Sequence, residues 1–244
     1  MRHASRLFAL LFTALVASAT SGDGGDRRPL RVVSPGSLDA FDAELLATFA
    51  RVEGRTVESV TGSASTVAAG GADVAVGLYA DAVASSDLEA TREVLPSRLV
   101  AVSRRPNAVA NSIESLRGAR IGACRGSRAL AAIRDSKISG AEVSEYSGPE
   151  AALSGLRDGS VAFLLIELPE ALLAQHEQPQ LVLGVFLGVR RSRVYAVRSQ
   201  DRALLAGLNA YIQALRKTPS WAAIVTGHYG PGVFEAIARA HLAE

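Results

Sequence analysis

The sequence predicts an α/β protein of two lobes, each a mainly parallel sheet flanked by helices, with two crossover strands between them. Apolar segments with the character of buried strands alternate with segments of helical periodicity. This alternation occurs in two series, one on each side of an extended segment near residues 99–104, and a second extended segment spans residues 189–197. Such alternation is typical of parallel sheets with helices on both faces.

The first series begins with a short apolar strand at residues 30–33 (LRVV). A helix is expected to begin at Asp39, because the apolar residues that follow recur at helical spacing, and it should end at Gly54. That apolar face contains Phe41, Leu45, Leu46, Phe49 and Ala50. The series continues with strands at residues 56–60 and 73–77 and a short helix at 63–69.

The second series contains the segment around which the functional argument is built. Residues 121–123 are expected to form a buried strand, and Gly126 and Ser127 a turn into a helix that runs to Asp135. The other expected strands lie at 141–146, 161–166, 181–186 and 194–197, and the other helices at 113–116, 149–156, 169–175, 203–216, 220–226 and 233–242.

The two series define the expected domain boundaries. Residues 30–101 and 192–244 are assigned to lobe 1, and residues 102–191 to lobe 2, because the simplest packing returns the C-terminus to the first lobe. The chain then crosses twice between the lobes, and the cleft between them is the expected ligand site. Two thin crossings would also permit hinge closure.

The N-terminal residues have the pattern of a signal peptide. Arg2 and Arg6 precede an apolar run at residues 7–16, and residues 17–19 (ASA) fit a cleavage site. The run is shorter than the roughly 20 residues of a membrane-spanning helix. We therefore expect a signal peptide at 1–19, a flexible leader at 20–29 and export to the periplasm.

Charge and cysteine content exclude several functions. Residues 1–19 hold two of the 26 basic residues and no acid, which leaves 24 basic and 24 acidic residues in the exported chain. This balance does not favour a nucleic-acid partner. Cys124 is the only cysteine, and we interpret it as a small buried apolar residue. The histidines lack metal-ligand spacing, so no metal or cofactor is expected.

The helix start at Gly126 and Ser127 has the properties of an anion receptor. Its backbone N–H groups are unpaired and carry a partial positive charge, Ser127 adds a hydroxyl, and Arg125 and Arg128 flank it. The alternative is that Ser127 serves only as a helix N-cap, a position at which serine is common.

Several segments together resemble bacterial extracellular solute-binding proteins of family 3. Residues 40–45 (AFDAEL), 70–75 (GGADVA), 115–122 (SLRGARIG) with 125–127 (RGS), and 158–161 (DGSV) with 167–169 (ELP) follow the order and spacing of that family's motifs. The similarity spans about residues 30–230. It implies a type II periplasmic-binding fold and the capture of an amino acid for an ABC importer.

The resemblance also assigns roles to individual residues. Ser127, with Gly126 and Arg128 beside it, falls where the family binds the α-carboxylate, and Glu167 falls where an acid receives the α-ammonium. Leu78 and Tyr79 follow the third strand, where the family lines its pocket, and Ser34 begins a loop that is shorter than usual. Arg92 is the candidate for the family's carboxylate-binding arginine, and Arg98 is the reserve. For Glu167, a solvated helix cap before Pro169 is the alternative.

These observations predict a monomeric periplasmic binding protein that captures an amino acid or related carboxylate for an inner-membrane ABC permease. The shortened loop at residues 34–38 keeps an alternative open, a sensor or partner-binding module with a degenerate pocket. A cyclohexadienyl-dehydratase-like enzyme, in which Glu167 would act as the general acid, is less favoured because no second catalytic group is apparent.

Overall fold

A computed structural model describes residues 28–34, 38–83, 86–136 and 138–242. The expected signal peptide and nearly all of the leader lie outside these residues, as does most of the shortened loop after Ser34. The described chain divides into two compact units. The first contains the residues up to Val94 together with Val194–Lys217, and the second contains Leu95–Arg193 and the residues from Thr218 onward.

The first unit is built on three parallel strands. Its elements are β1 (Leu30–Ser34), α1 (Ala40–Val52), β2 (Val57–Thr61), α2 (Ala64–Ala68), β3 (Val74–Tyr79), a 3₁₀ turn (Ala80–Ala82), β4 (Leu88–Ala90), the end of β9 (Leu181–Arg198) and α6 (Arg202–Leu215). Strand β1 lies between β2 and β3 and is parallel to both, and β4 is antiparallel to the end of β9. The sheet is therefore parallel at its centre, as predicted, with an antiparallel addition.

Helix α1 shows how the sequence specifies this unit. The Asp39 carboxylate accepts a 2.8 Å hydrogen bond from the backbone N–H of Asp42, which caps the helix at the predicted residue. The five apolar residues predicted for its inner face are all buried. The Tyr195 hydroxyl donates to the buried Asp42 carboxylate at 3.0 Å and joins α1 to β9.

The second unit contains the remaining strands and helices. They are β5 (Leu95–Arg104), a 3₁₀ turn (Ile113–Leu116), β6 (Arg120–Cys124), α3 (Arg128–Asp135), β7 (Glu142–Tyr146), α4 (Pro149–Asp158), β8 (Phe163–Glu167), α5 (Leu168–Glu177), the first part of β9, α7 (Pro219–Tyr229) and α8 (Val233–Leu242). Strand β6 is parallel to β7 and β8, whereas β5 is antiparallel to β8 and β9.

The α/β fold class is confirmed, and three details differ from the expectation. The strands expected at 181–186 and 194–197 are one strand, β9, because its polar middle section pairs with β5. The extended segment near residue 99 is the ten-residue strand β5, and the short strand β4 lies at residues 88–90, where no strand was predicted. In each case the strand is specified by pairing with a distant segment rather than by local pattern.

The last two helices, α7 and α8, lie in the second unit, not in the first lobe as expected, whereas α6 lies in the first unit. Helix α7 packs on α5, and α8 packs on β5. Arg98 on β5 donates to the carbonyl of Ala240, and Arg239 on α8 donates to the carbonyl of Gly184 at 2.9 Å. These contacts group residues from Thr218 onward with β5 and β9, so the unit boundaries differ from the expected 101/102 and 191/192. In the described part of the chain, no helix is long and apolar enough to cross a membrane.

Candidate functional site

The start of α3 carries the hydroxyl that the sequence singled out. Gly126 has φ of +70°, a left-handed conformation that favours glycine, and it turns the chain from β6 into the helix. Ser127 follows in an extended conformation at the N-cap, but its side chain makes no capping hydrogen bond. Its Oγ atom is buried and has no hydrogen-bond partner among the residues that the structure describes. The N-cap interpretation of Ser127 is therefore wrong for the side chain, which leaves a hydroxyl without an acceptor.

Glu167 lies at the end of β8, where both of its carboxylate oxygens contact other residues of the second unit. Oε2 accepts a 2.7 Å hydrogen bond from the Ser97 hydroxyl. Oε1 lies 3.3 Å from Nε of Arg128 and 3.5 Å from Nη1 of Arg191. The side chain is 14% exposed and makes no capping bond to α5, so it is not a solvated helix cap.

Arg128 is positioned by the backbone of β9. Its Nη1 donates to the carbonyl of Val189 at 3.1 Å, and its Nη2 lies beside Gly188. Among the described residues, Nε and Nη2 are buried without a hydrogen-bond partner, and Nε approaches Glu167 only as an ion pair. Arg128 therefore has two nitrogen atoms, Nε and Nη2, whose N–H groups donate no hydrogen bond within the described chain. We call Ser97, Arg128, Glu167 and Arg191 the Arg–Glu cluster.

Strand pairing brings the Arg–Glu cluster together. Strands β6 and β8 are parallel neighbours, so their carboxyl ends, which lead to Ser127 and to Glu167, meet at one edge of the sheet. Ser97 on β5 pairs directly with Arg191 on β9, and Leu99 on β5 pairs with Glu167. Three strands thus contribute one polar side chain each to the cluster, and α3 contributes Arg128.

Sequence reasoning missed Ser97 and Arg191. Their proximity to Glu167 depends on the register of two antiparallel pairings between segments that are distant in sequence. Arg191 stands in a run of polar residues at 190–193 (RRSR), which carries no local signal of a strand. Two guanidinium groups lie beside Glu167, which was predicted to accept a hydrogen bond from the ligand's ammonium group. That role stays a prediction.

The candidates of the first unit lie at the ends of its parallel strands. Ser34 is the last residue of β1, and Leu78 and Tyr79 are the last two of β3. Leu78 is partly buried against an apolar cluster that includes Val33 and Val67, so its side chain contributes to the core. The ligand-binding roles of Ser34, Leu78 and Tyr79 stay predictions.

The two candidate arginines differ in their surroundings. Arg92 follows β4 and is exposed, and its backbone N–H donates to the side chain of Asn209 at 2.7 Å. Arg98 is 8% exposed in the second unit, where its Nη1 donates to the carbonyl of Ala240 at the end of α8. Arg98 thus stabilises a helix terminus, which is a structural role, and Arg92 stays the predicted carboxylate anchor.

Cys124 ends β6, three residues before Ser127. Burial raises the pKa of its thiol, and the charge of Glu170 adds to that increase. A raised thiol pKa disfavours the reactive thiolate. Cys124 is only partly buried, whereas a buried residue was expected from the sequence. Among the described residues, no group of histidine, cysteine, aspartate and glutamate side chains is arranged to hold a metal ion.

Comparison with solved structures defines the class of fold. No protein-family model matches the sequence, and no curated protein matches it by sequence. In structure, the chain has the fold of two-lobed type II periplasmic-binding proteins, and its neighbours include substrate-binding proteins of amino acid ABC transporters.

Three of these neighbours illustrate the likeness. The second substrate-binding domain of Lactococcus lactis GlnP, in an open conformation, matches with a TM-score of 0.72 at 16% identity, over 86% of this chain and 98% of that one. The GluR0 ligand-binding core with L-glutamate matches at 0.67 and 16% identity, over 86% and 100%. The ancestral amino-acid-binding protein AncCDT-1, described as a precursor of cyclohexadienyl dehydratase, matches at 0.66 and 15%, over 89% and 99%. At such identities the likeness shows the fold.

Proposed function

We propose that this chain is a periplasmic solute-binding protein that captures a small carboxylate-bearing solute for an ABC permease in the inner membrane. The observation that carries the proposal is the buried Ser127 hydroxyl at the start of α3, which has no partner in the described chain. Buried hydroxyls are almost always hydrogen-bonded, so an unpaired one at a positively polarised helix start points to a missing acceptor. The shared fold and the sequence motifs support the same function.

Export and the partner are part of this proposal. The signal-peptide pattern at residues 1–19 supports delivery to the periplasm. The permease is proposed because solved structures with this fold include binding proteins of ABC transporters. Genes for a permease and an ATPase beside this one would support the assignment, and their absence would favour a role outside transport.

Replacement of Ser127 by alanine tests the carboxylate site. The wild-type protein is first screened by thermal shift against amino acids, organic acids and opines, since a ligand that binds only the folded state raises the melting temperature. For a compound that binds, we expect Ser127→Ala to weaken affinity by about 10- to 100-fold, the effect of losing a hydrogen bond to a charged group. Ligand-free stability should stay the same or rise, because the hydroxyl makes no hydrogen bond within the described part of the chain.

The control for this variant lies at the other end of the same helix. Ser136→Ala at the C-cap of α3 is expected to leave ligand affinity unchanged. Equal affinities of wild type and Ser127→Ala would contradict the assignment of Ser127 to the ligand. Loss of ligand-free stability in Ser127→Ala would contradict the view that its hydroxyl is not used in folding.

A sensor or partner-binding module is the second candidate, and the contact between Arg128 and Glu167 favours it. The chain's own guanidinium lies 3.3 Å from the carboxylate that the resemblance assigns to the ligand's ammonium group. If no compound in the screen raises the melting temperature, solute capture is contradicted and this second candidate is favoured.

A further inference from the structure

We infer that the solute is a small carboxylic acid that lacks an α-ammonium group, such as a 2-hydroxy acid or an unsubstituted acid, rather than an amino acid. The inference rests on the proposed solute-binding function and names its substrate class. It is carried by the Arg–Glu cluster in the second unit.

The first step concerns the two oxygens of Glu167. Ser97 occupies Oε2 with a 2.7 Å hydrogen bond, and the guanidinium groups of Arg128 and Arg191 lie 3.3 and 3.5 Å from Oε1. An ammonium within hydrogen-bond distance of this carboxylate would therefore stand close to two cations. Like charges in a partly desolvated site repel strongly, so the cluster disfavours the group that an amino acid would place there.

The second step concerns the charges around Glu167. Two guanidinium groups lie beside this one carboxylate, and the start of α3 adds partial positive charge. These side chains are largely removed from water, with exposed fractions of 25% for Arg128 and 14% for both Glu167 and Arg191. A ligand carboxylate is attracted by these positive groups, whereas an ammonium group is repelled by them.

The third step concerns hydrogen-bond donors without acceptors. Nη2 of Arg128 and Oγ of Ser127, on adjacent residues, are buried without a hydrogen-bond partner among the described residues, and Nε of Arg128 makes only the ion pair with Glu167. The guanidinium is held by the Val189 carbonyl, which reduces the entropy lost when it binds. The donors at this site need acceptor oxygens, which a carboxylate supplies and an ammonium group does not.

Matched ligand pairs test the inference by calorimetry on the whole protein. The pairs are L-aspartate with L-malate, L-glutamate with 2-hydroxyglutarate, and L-alanine with L-lactate, in which a hydroxyl replaces the ammonium; succinate, glutarate and propionate lack both groups. We expect the best binder to be a hydroxy or unsubstituted acid, and its affinity to exceed that of its amino counterpart by about tenfold or more. Tighter binding of the amino acid in the pair that binds best would overturn the inference and leave solute binding intact.

Charge variants of the cluster supply an independent readout. For the acid that binds best, Glu167→Gln should raise affinity severalfold by removing a competing anion, and Arg191→Gln should lower it about tenfold. Arg191→Lys should keep part of the affinity because it keeps the positive charge. This variant tests whether the loss in Arg191→Gln comes from the missing charge or from misfolding. Loss of binding in Glu167→Gln, with the ligand-free melting temperature unchanged, would identify Glu167 as an ammonium receptor and overturn the inference. If none of the amino acids, hydroxy acids or unsubstituted acids binds, the solute-binding function itself is wrong and the inference falls with it.

Discussion

Replacement of Asp73 by alanine is expected to lower the free energy of unfolding by about 3–5 kcal/mol, the usual cost of removing one partner from a buried ion pair. The Asp73 side chain is 5% exposed and lies at the entry to β3. Its Oδ2 accepts hydrogen bonds from the backbone N–H of Arg31 at 2.9 Å and from Nη2 of Arg55 at 3.2 Å, and Arg28 lies 3.3 Å from Oδ1. One carboxylate therefore joins β1 to the turn after α1.

The alanine variant leaves two groups without their partner. The Arg55 side chain is only 13% exposed, so its charge loses a buried counterion, and the Arg31 N–H loses its acceptor. Asp73→Asn keeps an oxygen in place for the N–H but removes the charge, so its loss of stability should be smaller than that of the alanine variant. Urea unfolding followed by circular dichroism measures both, and the asparagine variant provides a value even if the alanine variant does not fold.

An exposed ion pair of the same unit provides the control for Asp73. Glu58 lies 4.0 Å from Arg31, and both side chains are well exposed, at 55% and 37%. Glu58→Gln should therefore change stability by about 0–1 kcal/mol. Equal losses for Glu58→Gln and Asp73→Ala would show that burial does not determine the strength of these contacts.

Local sequence patterns predicted the parts of the fold that local forces specify. The buried face of α1 and its start at Asp39 were both predicted. A helix buries one apolar face, and a capping side chain satisfies its first N–H groups. The turn at Gly126 was also predicted from local sequence, since glycine tolerates the positive φ that the turn requires. Ser127 was found through the same local pattern, as a polar residue at a helix start.

Long-range pairing determines the features of the fold that could not be predicted from the sequence. The polar residues 190–193 become part of a strand only because β5 pairs with them, and the same pairing places Arg191 beside Ser97. The last two helices were assigned to the wrong unit because the contacts that hold them, such as Arg98 with Ala240 and Arg239 with Gly184, join segments distant in sequence. The candidate site was therefore predicted at Ser127, Arg128 and Glu167, while Arg191 and the contacts of both arginines with Glu167 needed the structure.

Replacement of Gly184 by alanine is expected to destabilise the second unit by about 1–3 kcal/mol, as overpacking does in a tightly packed region. Gly184 is buried in β9, where the register against β5 is irregular. A Cβ atom at this position would collide with the carbonyl oxygen of Ala110 and would lie 3.1 Å from that of Ala101. Both obstacles are backbone atoms, so the collision is not relieved by rotation of a side chain.

The hydrogen bonds around Gly184 explain why the chain has little room to move. The N–H of Val185 donates to the Ala110 carbonyl at 2.6 Å, and the Gly184 carbonyl accepts from Arg239 at 2.9 Å. Displacing residue 110 to admit a methyl group would weaken the first bond, whereas displacing residue 184 would move the acceptor of Arg239 on α8. Native-state hydrogen exchange should accordingly show faster exchange at Val185 in the variant, in addition to a lower melting temperature.

A second glycine gives the matched control with the opposite expected sign. Gly227 lies on the exposed side of α7, has no positive φ, and has no atom within 4 Å of an added Cβ. Gly227→Ala should stabilise the protein by about 0.5–1 kcal/mol, because alanine loses less conformational freedom than glycine in a helix. If the two alanine variants change stability in the same direction, the close backbone approach at Gly184 is not what requires glycine there. If they diverge as expected, contact with the Ala110 carbonyl explains why β9 carries no side chain at the point where α8 is attached.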